Sequence, residues 1–101
     1  MSNGPPPPPP GLPPSVAAPT DGADVSGTFD TFGTSNAGQQ ITSVVFTGNG
    51  QNVNGTITQQ TDQNGDWAAQ VDVSSCPSAS GYTLTVSNGT GPTSVNNLRI
   101  P

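Results

Sequence analysis

Asp62, Asn64 and Asp66 place oxygen ligands at alternate positions, the D-x-N-x-D spacing with which a loop can wrap a calcium ion. Two features weigh against that reading: no glutamate follows to close the coordination shell, and Trp67 stands where such a loop needs glycine. The competing reading is a tight turn in which the Asp62 carboxylate caps backbone N–H groups and Asn64-Gly65 makes the reversal. Other chemistry is harder to build. The chain has no histidine, no lysine and no glutamate, so a nucleophile has no imidazole base and zinc lacks ligands. Asp62 and Asp66 flank a turn and Asp72 faces water, which does not suit paired-carboxylate hydrolysis. Cys76, the single cysteine, precedes Pro77 in a serine-rich turn and reads as an inert, partly buried thiol or as one half of an intermolecular bridge. No enzymatic activity and no cofactor are expected.

The charge inventory narrows the partners. Six aspartates against Arg99 give a formal net charge of −5. Nucleic acid is excluded, because affinity for a polyphosphate comes mainly from Lys and Arg. Anionic membrane surfaces fail for the same reason, and no apolar run is long enough to span a bilayer. The sequons at Asn54-Gly55-Thr56 and Asn88-Gly89-Thr90 matter only in a eukaryotic secretory protein. Met1-Ser2-Asn3-Gly4 opens without a basic region or an apolar stretch, so no export signal is expected there.

The elements that must carry these residues divide in two. Residues 1–24 hold most of the chain's 12 prolines, including the run Pro5, Pro6, Pro7, Pro8, Pro9 and Pro10, then Pro13 and Pro14. Proline fixes φ and removes the N–H donor, so this segment is expected to be an extended polyproline II arm outside any sheet. It reads as a spacer or as a docking strand for a partner, with Leu12 and Val16 as apolar anchors beside the prolines. Without a flanking basic residue it is a poor ligand for SH3- or WW-type domains. Residues 25–101 form the domain. Short apolar and β-branched runs near 25–29, 41–47, 53–60, 67–73, 82–87 and 94–100 alternate with Gly, Asn, Asp and Ser clusters. Trp67 to Val73 and Tyr82 to Val86 each alternate apolar and polar residues, and Gly55 marks a bulge or bend within a run. The expected fold is all-β: a small immunoglobulin-like antiparallel β-sandwich with an extended proline-rich N-terminal arm. About 75 foldable residues make a small core, so modest stability is expected, helped by a partner or by a homo-oligomer.

Asp62-Gln63-Asn64-Gly65-Asp66-Trp67 is a D-x-x-G-x-W hairpin, and at this point the chain resembles bacterial and phage immunoglobulin-like domains. With Gly81-Tyr82-Thr83-Leu84-Thr85-Val86-Ser87 and Asn97-Leu98-Arg99-Ile100, it is similar to the small Ig-like domain beside the catalytic domain of sialate-type SGNH acetylesterases. That resemblance covers roughly residues 40–100 and implies a structural or adhesive module, since the family's nucleophile block lies outside it. The expected function is a non-enzymatic virion protein, a phage capsid decoration (cement) or other particle-surface accessory. It would dock through its arm to capsid or tail proteins at the virion surface, with host-surface glycans as a further partner. The alternative is an adhesion or carbohydrate-binding module of an exported bacterial protein at the cell surface or beyond. Aromatics are scarce, and Phe29, Phe32, Phe46, Trp67 and Tyr82 are expected to be mostly committed to the core, which counts against that alternative; glycan binding lost on replacing Phe32 would revive it.

Overall fold

A computed structural model describes residues 12–101 of the chain. The Pro5–Pro10 run expected to dock lies outside the described residues. Eight strands follow one another: β1 (Ser15–Ala18), β2 (Thr28–Thr34), β3 (Ile41–Gly48), β4 (Gln51–Asn54), β5 (Thr56–Gln59), β6 (Asp66–Asp72), β7 (Ala79–Asn88) and β8 (Gly91–Ile100). They form two four-stranded antiparallel sheets, in the orders β1-β2-β6-β5 and β4-β3-β7-β8. The first is the A-B-E-D order of an immunoglobulin sandwich; β3, β7 and β8 stand in its C-F-G order, with β4 added outside β3. Among the described residues there is no helix.

Alternation fills the space between the sheets. Trp67, Ala69 and Val71 of β6, Tyr82, Leu84 and Val86 of β7, and Ile41, Val44 and Phe46 of β3 are buried, joined by Val73, Val95, Leu98 and Ile100. Along β6 and β7 the intervening neighbours face outward, as a period of two requires, while register irregularities in β3 and β8 bring Ile41 and Val44, and Val95 and Leu98, to the same side three residues apart. Phe46 stacks on Tyr82 at 4.9 Å between ring centroids and meets Phe29 edge-on at 5.8 Å. The expected 53–60 run is two strands, one in each sheet. The chain changes sheet at Gly55, whose N–H donates to the Val44 carbonyl at 2.7 Å and where an added Cβ would sit 2.8 Å from Val44 Cγ1. The reversal between β3 and β4 uses Asn49 and Gly50, both with positive φ (50° and 78°), as a two-residue hairpin demands.

The N-terminal segment departs from the expectation that all of residues 1–24 stands clear of the sheets. Ser15–Ala18 contains no proline, keeps its N–H groups and pairs with β2, Ser15 opposite Thr34 and Val16 opposite Gly33. After a cis Ala18-Pro19 bond the chain crosses to the other sheet, where Val25 N donates to Arg99 O and Arg99 N to Ala23 O. The folded body therefore begins well before Val25: β1 lies at the edge of one sheet, and residues 23–25 bridge to β8 at the edge of the other.

Candidate functional site

The residues expected to hold a partner are engaged within the chain where the structure describes them. The Leu12 carbonyl accepts hydrogen bonds from Asn88 Nδ2 and Thr90 Oγ1, and the Pro14 carbonyl from Thr93 Oγ1. Pro13 lies over Gly91 in the β7–β8 hairpin, Pro14 is buried, and Val16 is half-buried against the core. Asn88 is a buried hub, donating also to Ser35 Oγ and accepting from Thr90 N. Among the described docking residues, Leu12 and Pro13 remain exposed.

The Asp62 loop resolves as a turn. Asp62 Oδ1 accepts from Asn64 N (2.9 Å) and Asp66 N (3.0 Å), and Oδ2 from Gln59 Nε2 (3.2 Å). Trp67 then enters the core and donates its indole N–H to the Thr34 carbonyl at 3.1 Å. A carboxylate so supplied with donors caps a turn. No group of three or more metal-ligating side chains occurs among the described residues. Cys76 is a buried free thiol. An open cleft of about 310 Å³ lies where the chain changes sheet, lined by Thr42, Ser43, Val44, Asn54, Gly55 and Ile57, and it offers neither a charge nor an aromatic ring.

The feature that stands out is Phe32. Phe46, Trp67 and Tyr82 are fully buried and Phe29 packs on the core, whereas Phe32 is 48% exposed on the outer face of the β1-β2-β6-β5 sheet. Its surroundings follow from register. Phe32 pairs with Ala18 on one side and Ala68 on the other, and Ala68 pairs in turn with Gln59, so one row crosses all four strands. Two alanines leave the ring standing proud of its lateral neighbours. Two residues along the strands, about 7 Å away, lies a polar row on each side: Ser15, Thr34 and Asp66 on one, Asp30, Gln70 and Thr56 on the other. Gln70 Nε2 donates to Asp30 Oδ1 at 3.1 Å, which fixes an amide and a carboxylate beside the ring. Phe29 and Phe32 are three apart in one strand and so must lie on opposite faces; with Phe29 inward, Phe32 is driven out.

The face is acidic. Asp30, Asp66 and Asp72 are exposed on it, while Arg99 lies elsewhere, paired with Asp24 at 3.1 Å. Ser74 Oγ (2.6 Å) and Ser74 N (3.0 Å) donate to the Asp72 carboxylate, and these bonds, the hydroxyl's first, hold its pKa below the usual 3.8. A folded pKa below the unfolded one means stabilisation that is present above pH 3.8 and fades as pH falls through the lower folded value. Ser74→Ala is expected to lose stability at neutral pH and to converge on the wild type in acid, checked by urea unfolding across that pH range.

No family model matches the chain, and no curated protein matches it at a significant level. Among solved structures it superposes on part of a carbohydrate acetylesterase from Xanthomonas citri, with a TM-score of 0.63 at 19% identity. The match covers 86% of this chain and 19% of that enzyme, and at such identity it establishes a shared β-sandwich fold.

Proposed function

We propose that this chain is a non-catalytic glycan-binding module that uses the outer face of its β1-β2-β6-β5 sheet. The observation that carries this reading is Phe32, an exposed ring on a regular sheet, bracketed by hydroxyl, amide and carboxylate groups. A sugar ring presents an apolar C–H face and a rim of hydroxyls. It therefore needs both a flat apolar surface and peripheral hydrogen-bonding groups, and specific sites combine the two. The similar sandwich within a carbohydrate acetylesterase is consistent with an accessory module carried by carbohydrate-active proteins, such as the domain beside SGNH acetylesterases. A binding role also suits a chain without histidine, lysine or glutamate. The particle-surface alternative rests chiefly on the proline arm, whose Pro5–Pro10 run lies outside the described residues, while Pro14 is buried and Val16 packs against the core.

The test is titration with cellohexaose, xylohexaose and mannohexaose, comparing the wild type with Phe32→Ala. At least one hexasaccharide is expected to bind. Phe32→Ala is expected to weaken it about tenfold or more, since a stacking contact contributes about 1.5 kcal/mol. The fold should survive, because the side chain is on the surface. Equal binding by Phe32→Ala, or no binding of any hexasaccharide by the wild type, would overturn the reading.

A further inference from the structure

The geometry points to a ligand of narrower description: a linear glycan without acidic groups, lying across the strands along the Ala18–Phe32–Ala68–Gln59 row. This inference rests on the glycan-binding reading and adds direction and charge to it. Direction follows from side-chain size. Along the row the neighbours of Phe32 are alanines, so a chain seated on the ring continues over low ground to either side. Along β2 it would meet Asp30 and Thr34, which stand on the same face two residues away in each direction. Four strands at about 4.8 Å spacing give the row a length of about 14 Å, room for more than one sugar ring. In that orientation the long edges of the glycan run past the two polar rows. Thr34 and Asp66 face one edge, and Gln70 and Asp30 the other, so hydroxyls on both edges find partners.

Charge follows from what those rows contain. Asp30 and Asp66 flank the ring, Asp72 lies one step further out opposite Thr28, and no Lys or Arg is present on the face to answer an anion. A carboxylate or sulfate on the glycan would meet like charge along either edge, an interaction that exposed groups feel at close range and that salt screens.

Two sets of measurements test this. The charge claim is read by comparing cellohexaose with the same chain oxidised to carboxylate at C6. The oxidised form is expected to bind roughly tenfold more weakly at low salt, the gap narrowing as the Debye length shrinks to about 3 Å at 1 M. In the double variant Asp30→Asn, Asp66→Asn the gap should close at low salt as well. The direction claim is read from Ala68→Leu, which raises the floor of the row, against Thr28→Leu, which lies further along β2 and off the row. Ala68→Leu is expected to abolish cellohexaose binding, Ala68→Ser to retain it, and Thr28→Leu to leave it unchanged, with thermal unfolding confirming that all three are folded. Equal affinity for the two glycans overturns the charge claim. Loss in Thr28→Leu with retention in Ala68→Leu overturns the direction. Either result leaves Phe32-dependent binding intact, whereas a wild type that binds no hexasaccharide removes the underlying reading.

Discussion

Trp67→Ala is expected to lower the unfolding free energy by about 3–5 kcal/mol or more and to shift the urea midpoint far below that of the wild type. The indole is 1% exposed at the start of β6, the strand held between β2 and β5, and its N–H reaches across to the Thr34 carbonyl. Truncating a buried Trp to Ala costs about 3–5 kcal/mol through lost transfer energy and the cavity left behind. A body of this size holds roughly 5–13 kcal/mol in total. The deletion therefore removes a large share of the stability, and the orphaned Thr34 carbonyl adds to the loss. Trp67→Phe separates the contributions: it keeps most of the apolar contact and forfeits the hydrogen bond, at a cost of about 1–2 kcal/mol. Urea unfolding followed by backbone spectra reads both. A Trp67→Ala protein that unfolds cooperatively within about 1 kcal/mol of the wild type would show that this ring is not the centre of the core.

That centre was legible in the residues alone because period-two alternation is explicit in Trp67–Asp72 and Tyr82–Val86, and because Asn49-Gly50 and Asn64-Gly65 are turn formers with a stereochemical reason. The same local logic explains what was missed. Ser15–Ala18 is short, is flanked by prolines and has no apolar alternation; it becomes a strand because Gly33 lets its backbone approach β2. The first run was expected to stop at residue 29, yet it starts at Thr28 and continues through Gly33, since that glycine is required inside the strand. The candidate site depended on this boundary. Only when β2 reaches Thr34 are Phe29 and Phe32 in one strand, and only then does their spacing force Phe32 into solvent. The Ala–Phe–Ala–Gln row, by contrast, had no signal in any single segment. It is assembled by register across four strands, and strand order does not follow from composition or periodicity.

Gly33→Val is expected to strip β1 from the sheet while leaving the rest of the sandwich folded. A Cβ at this position would lie 1.9 Å from the Ser15 carbonyl oxygen, 2.8 Å from its carbon and 3.0 Å from Val16 Cα. All three are backbone atoms, so no rotamer change relieves the overlap; one strand must move. β2 is held on its other side by seven register pairs with β6, whereas β1 has three partners in all, so β1 is the strand that yields. Its departure exposes Val16 and takes the Ala18 carbonyl from the buried Thr31 hydroxyl, which donates to it at 2.9 Å. Half-burial of a valine is worth about 1 kcal/mol and an unsatisfied buried hydroxyl about 1–3, so a loss of roughly 2–4 kcal/mol is expected. Amide hydrogen exchange separates this local event from global unfolding. Amides of Ser15–Ala18 should exchange as in a free chain, while those of β3, β6 and β7 keep their protection. Gly89→Ala is the control, since its Cβ would meet only the flexible Gln39 side chain at 3.4 Å and should change stability by no more than about 0.5 kcal/mol. Because Ala18 supplies one end of the row through Phe32, the valine variant should also bind hexasaccharide more weakly than the wild type. Retained protection at Ser15–Ala18 would mean that β2 had shifted instead, and with it the whole Phe32 face.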